Sequence, residues 1–167
     1  MGCRARATEP TYNNTAIGTP YALKHNPATP FRSIYGTSLC ASHVLPYTSF
    51  EPSSIPEVTF IAPGICNDQH GMTSTPYPNC LDGSSGVDKR GDSWLRARVP
   101  AMLAAGATVF ITYDESGTLF AAAIGPGIGA GTTDAHLYTH YSLLARVERE
   151  YGLDLLGGAR NAAPLPV

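Results

Sequence analysis

Proline sets the first limit on what this chain can build: ten of its fourteen prolines fall within residues 1 to 90. Each one restricts its own backbone, lacks an amide donor and disfavours helix in the residue before it. The first half therefore reads as loops punctuated by short elements. One strand stands out there, Val58-Thr-Phe-Ile-Ala62, rich in strand formers and stopped by Pro63-Gly64. Residues 71 to 91 follow as a loop of Gly, Ser, Pro and Asn, of a length that is more often functional or mobile than structural.

The second half is more regular. Asp92 or Ser93 can cap a helix from Trp94 to about Ala105, with Pro100 as a local fault and Gly106 as its stop. Ala107-Thr-Val-Phe-Ile-Thr-Tyr113 is a near-continuous run of strand formers without alternation, which predicts a strand covered on both faces, as in a parallel sheet. Ser116-Gly117 predicts a turn, and Thr118 to Ile124 a hairpin partner. A Gly-rich loop spans Gly125 to Gly131. A last helix runs from about Tyr141 to Tyr151, with Leu143, Leu144, Val147 and Tyr151 at helical spacing and Gly152 as its stop. The whole predicts one α/β domain over residues 1–167, with a mostly parallel sheet, flanking helices and loose ends at 1–20 and 162–167.

Composition narrows the partners. Hydrophobic content of 43%, charged content of 14% and a formal net charge of -2, with the basic residues scattered, leave no footprint for nucleic acid or an anionic membrane. No apolar run approaches the roughly 20 residues of a membrane span, and the start, Met1-Gly-Cys-Arg-Ala-Arg6, lacks the apolar stretch of a signal peptide. Cys3, Cys40, Cys66 and Cys80 form no CxxC pair, which disfavours a structural zinc site. Disulfides, with Cys66 and Cys80 flanking one loop and Cys40 nearby, and buried free thiols are both compatible with this spacing.

Strands 58–62 and 107–113, separated by a loop and a helix, have the layout of a crossover unit, which would set them parallel. After the first comes Asn67-Asp68-Gln69-His70, and after the second Asp114-Glu115. Ligands of open α/β sheets bind outside the carboxyl ends of strands, so Asp68, His70, Asp114 and Glu115 would meet at one edge. Carboxylates gathered there would repel one another unless a cation or protonation offset the charge. Oxygen ligands with an imidazole suit a divalent ion such as Mg, Mn, Ca or Zn. The plainer alternatives are a solvated turn for Asp114-Glu115, a local turn for Asp68-x-His70, a loop residue for His25 and a helix-starting role for His140.

Several segments also resemble a known family in both content and order. Tyr21-Ala-Leu-Lys-His-Asn-Pro27 and Phe60-Ile-Ala-Pro-Gly-Ile-Cys-Asn-Asp-Gln-His70 resemble the His-Asn-Pro and Pro-Asn-x-x-Asn-Asp-x-His segments of the bacterial phosphoesterases (phospholipase C and acid phosphatase type) of the alkaline phosphatase superfamily. Gly91-Asp-Ser-Trp-Leu95, Phe110-Ile-Thr-Tyr-Asp-Glu115, Gly125-Pro-Gly127, Thr139-His-Tyr-Ser-Leu-Leu144 and Glu148 to Gly157 follow in the family's order. The resemblance, from about Tyr12 to Ala163, implies an alkaline-phosphatase-like core and metal-dependent hydrolysis of phosphoric esters. It implies that Asp114 and Glu115 are metal ligands, and that His25 and His70 line the phosphate pocket, with Asn67 and Asp68 in support. Members of that family are often secreted or periplasmic.

The departures are as specific. The family's Glu-Asn metal motif and its Ser or Thr nucleophile precede His-Asn-Pro, and Thr11, Thr15 and Thr19 lack the expected setting, so the nucleophile is unknown and an N-terminally incomplete phosphoesterase is expected. Gly64 stands where the family usually has Asn. Two other function classes compete: a non-catalytic α/β module that pairs with another chain, and a nucleotide-binding domain built on Gly125-Pro-Gly-Ile-Gly-Ala130 with Glu148 as its acid. The second fits poorly, because such a fingerprint should open a helix directly.

Overall fold

The computed structural model describes residues 21–73, 77–115 and 117–166. Thr11, Thr15, Thr19 and Ser116 lie outside the described residues. The chain divides into two compact units, Met1–Ala105 and Gly106–Val167.

The proline-rich half of the first unit builds short pieces, as its backbone restrictions require. They are the 3-10 turn Leu23–His25, the six-residue helix α1 at Ser38–His43, and the 3-10 turns Tyr47–Ser49 and Pro52–Ser54. The strand expected at 58–62 is not formed. Pro56 and Pro63 bracket it, no described segment offers it a ladder, and Val58 and Phe60 stand 54% and 70% exposed. Strand propensity expresses fit to a pleated, half-buried surface, and this segment has none. The parallel crossover between 58–62 and 107–113 therefore does not exist among the described residues.

Helix α2 runs over Ser85–Ala104, nine residues earlier than Trp94 suggests. Gly86 and Gly91 weaken the helical pattern in the sequence, yet both lie where a neighbouring loop approaches closely. A Cβ on Gly86 would stand 3.2 Å from Asn79, and one on Gly91 would stand 2.4 Å from the Gln69 side chain. Close approach of a loop thus replaces intrinsic helix preference. Pro100 stays inside the helix, where it forgoes one amide donor and its ring crowds the carbonyl four residues back. Further along, the Arg98 guanidinium lies 4.8 Å from the Trp94 ring centroid and 5.4 Å from that of Tyr47, fixing α2 to the Tyr47–Ser49 turn.

Ala22, Ile65, Cys66, Met72 and Cys80 form the buried cluster of this unit, with Tyr77 packed against it. Cys66 and Cys80 are joined in a disulfide with Cα atoms 4.8 Å apart, and Cys40 is disulfide-bonded as well, so the free-thiol alternative is excluded for all three. A short polar ladder reinforces the disulfide: Met72 N–H donates to the Cys80 carbonyl (2.7 Å) and Asp82 N–H to that of Met72 (3.0 Å).

In the second unit, β1 (Val109–Thr112) pairs with β2 (Ala121–Ile124) antiparallel, Val109 opposite Ile124 and Thr112 opposite Ala121. The expected hairpin is present. The mostly parallel sheet is not: among the described residues the sheet is this two-stranded ribbon. Val109, Phe110 and Ile111 are half-buried rather than covered on both faces, because a ribbon of two strands offers no flanking layers. The 125–131 loop leads through irregular chain to α3 (His140–Glu150), where the Ser142 hydroxyl accepts the Thr139 N–H at 3.1 Å.

The buried face of α3 is Ser142, Ala145 and Glu148, not the leucine stripe; Leu144 and Tyr151 are 38% and 42% exposed. Ala159 of the closing 3-10 turn, Gly157–Asn161, is fully buried. Glu148 accepts the Leu156 N–H through both carboxylate oxygens (3.2 and 3.3 Å), and Leu165 N–H donates to the Ser142 carbonyl at 3.2 Å. The acid that a nucleotide site would need is thus spent on a helix-to-turn bond, and no helix follows the Gly-rich loop directly. Both observations count against a dinucleotide fingerprint.

Candidate functional site

The first unit brings together three of the residues singled out in the sequence. The 3-10 turn Leu23–His25 presents His25, and the turn after Gly64 presents Asp68 and His70. Asp68 bridges them. Its Oδ1 accepts the His70 backbone N–H at 2.9 Å, the local turn that Asp-x-His favours, while Oδ2 lies 2.7 Å from His25 Nδ1, 43 residues away in sequence. The His25 and Asp68 side chains are 18% and 17% exposed, and the His25 and His70 ring centroids lie 5.3 Å apart. The cluster is half-buried.

Both Nδ1 atoms are committed. His25 Nδ1 faces a carboxylate oxygen, and His70 Nδ1 lies 3.0 Å from the Gly71 carbonyl oxygen. A carbonyl and a carboxylate oxygen accept hydrogen bonds, so each Nδ1 is the donor and each Nε2 is left for chemistry. Each Nε2 can then take a proton from, or give one to, a bound group.

The loop is held in shape from several sides. Gly71 has φ +81°, and an added Cβ would stand 2.7 Å from the Asp82 backbone. Gln69, a non-glycine residue at φ 72°, donates through Nε2 to the Asp88 carbonyl on α2 (3.2 Å). Arg90 of α2 donates from Nε to Asn67 Oδ1 (3.1 Å) and from Nη1 to the Pro78 carbonyl (2.8 Å). Asn67 therefore faces α2, while Asp68 and His70 make the site. The contribution of Arg90 was not foreseen; a basic residue one turn before a tryptophan in a helix gives no signal of its loop partner.

Asp114 and Glu115 lie in the second unit, exposed, at the end of β1. His140 Nε2 donates to the Asp114 carbonyl at 3.3 Å, so His140 joins the start of α3 to that turn. Nearby in sequence, Asp134 repeats the Asp-x-His turn: Oδ1 accepts the His136 N–H (2.8 Å) and Oδ2 the Tyr138 hydroxyl (2.7 Å). That hydroxyl first, and then the His136 N–H, hold Asp134 below the usual carboxylate range, while the same bond raises the Tyr138 phenol. Among the described residues no three His, Cys, Asp or Glu side chains gather as a ligand set. Asp114 and Glu115 offer two carboxylates where a divalent ion takes about four to eight donors. On its own this donor set does not fit a held ion.

Comparison with known proteins sharpens the chemistry. The chain is 29% identical over 163 residues to an acid phosphatase of Aspergillus fumigatus, covering 87% of this chain and 33% of that protein. It is 28% identical over 150 residues to a phosphate-repressible acid phosphatase of Penicillium chrysogenum, covering 82% and 34%. A phosphatidylinositol-3-phosphatase of Mycobacterium tuberculosis is 29% identical over 157 residues, covering 87% and 46%. The likeness is to phosphoric ester hydrolases. The chain spans about a third of the length of the fungal phosphatases and under half of the mycobacterial one. No family model and no solved structure matches it. Among the described residues, no helix is long and apolar enough to cross a membrane.

Proposed function

We propose that this chain carries the imidazole side of a phosphate-ester-hydrolysing site, of the phosphoesterase type within the alkaline phosphatase superfamily. The observation that carries the reading is the shared Asp68 carboxylate, which sets His25 and His70 side by side with both Nδ1 atoms engaged. The ring centroids lie 5.3 Å apart, and a phosphoryl group bound by both imidazoles is the proposed ligand. In protonated form each Nε2–H donates to a phosphoryl oxygen or delivers the proton to the departing alkoxide. Asp68 serves as the positioning residue, holding His25 in the Nδ1–H tautomer and, through its other oxygen, holding the His70 backbone.

The relatives' names support a phosphoric ester as the substrate class. Asp114 and Glu115 are proposed, on the family resemblance alone, as part of the ligand set of a divalent ion whose other donors are not assigned. The nucleophile is not assigned to any residue of this chain. The disulfides favour folding in an oxidising compartment, consistent with an exported enzyme.

The test is hydrolysis of p-nitrophenyl phosphate with millimolar divalent ion. Turnover is expected to be feeble without an assigned nucleophile. What turnover there is should fall about 10²-fold in His25→Ala and in His70→Ala, the scale of a positioned acid or base. Turnover that survives both substitutions contradicts the reading.

A further inference from the structure

The segment that bears Asp68 and His70 is one limb of the Cys66–Cys80 loop, and a disulfide alone is a poor guide to its orientation. One covalent link fixes the separation of two limbs, with Cα atoms 4.8 Å apart, while leaving rotation about the link. The Met72–Cys80 and Asp82–Met72 backbone bonds restrict it on one side, and a further attachment, one residue from Cys66 on one limb and two from Cys80 on the other, restricts it beside Asp68. Arg90 makes it: Nε bonds Asn67 Oδ1, next to Cys66, and Nη1 bonds the carbonyl of Pro78, two residues before Cys80.

The neighbouring contacts fall in the same strip of α2. Gln69 bonds the Asp88 carbonyl, and the bare Cα of Gly91 receives the Gln69 side chain, where a Cβ would stand 2.4 Å away. Asn67 and Gln69 flank Asp68 and both bond α2, whereas Asp68 and His70 make the His25 contacts. A helix thus sorts successive residues of the loop between a structural side and a chemical side.

We propose that Arg90 is a positioning residue of the site: its guanidinium spans both limbs of the disulfide loop and sets the register in which Asp68 meets His25. The inference rests on reading His25, Asp68 and His70 as the site. It concerns their geometry, so it can be measured without turnover. Arginine suits this task because its planar fork directs two donors at fixed angles, which a lysine ammonium does not do.

The experiment is long-range 1H–15N NMR of the imidazoles in the 167-residue chain with the disulfides intact. In the wild type, His25 and His70 are expected to show the Nδ1–H tautomer. Arg90→Ala should shift both toward the Nε2–H pattern of a solvent histidine. The signals of His136 and His140 in the other unit, and the helical circular dichroism, should stay unchanged. Arg90→Lys, which keeps the charge and loses the fork, should show a partial shift, and it decides the matter should the alanine variant not fold. Nδ1–H signatures unchanged in Arg90→Ala, or in Arg90→Lys where that variant decides, overturn the proposal. Because tautomers are read directly, an absence of hydrolysis would count against the proposed function and leave this result standing.

Discussion

Asp68 divides its two carboxylate oxygens between a neighbour and a distant partner, and the division is what turns a common turn into a site. The local half was legible in the sequence, because Asp two residues before a donor favours such a turn. Asp134 makes the same turn before His136, yet its second oxygen meets a tyrosine in exposed chain. The difference lies in a partner 43 residues away, which residue spacing cannot reveal. Asp68→Asn leaves an amide that can present N–H to His25 and favour the wrong tautomer, so phosphate-ester turnover should fall about 10²-fold or more by colorimetric assay. Gly71→Ala should destabilise the chain by about 1–3 kcal/mol in chemical denaturation, since its positive φ and the Asp82 backbone leave the methyl nowhere to go.

Among the elements, the hairpin, the latter half of α2 and α3 were legible, α1 carried no signal, and the strand expected at 58–62 does not form. β1 and β2 announce themselves through continuous strand formers around a turn, and α3 through its apolar spacing. Residues 58–62 have the same local preference but lie between prolines with no ladder to join. The early start of α2 was hidden because its glycines serve a neighbouring loop.

The Asp134–Tyr138 bond makes a prediction at this scale. Asp134 is depressed, so the stability it contributes is present above the carboxylate's unfolded value and lost as pH falls through the lower folded one. Tyr138 is raised, so its contribution holds below the phenol's unfolded value and is lost as pH rises through the folded one. Carbon NMR should find Tyr138 ionising at higher pH than a solvent tyrosine, and Asp134→Asn should abolish the difference.

For the whole molecule, the order of segments was the most informative part of the sequence. It pointed to phosphoesterases, and phosphatases are the proteins to which the chain is similar over 82% to 87% of its length. The layer architecture was not legible in the same way, since a strand run says what could flank it and not what does. If Asp114 and Glu115 contribute to a metal site, millimolar divalent ion should raise the melting temperature by mass action. Asp114→Asn should remove most of that gain in a thermal-shift assay.

His25, Asp68 and His70 are proposed to form one phosphate-binding unit, and titration with inorganic phosphate decides whether they do. Followed by imidazole NMR, His25 and His70 Nε2 should respond together with a single dissociation constant, exposed His43 should not, and Asp68→Asn should abolish the response. Phosphate that moves only one of the two rings, or moves both as strongly in Asp68→Asn, would contradict the account.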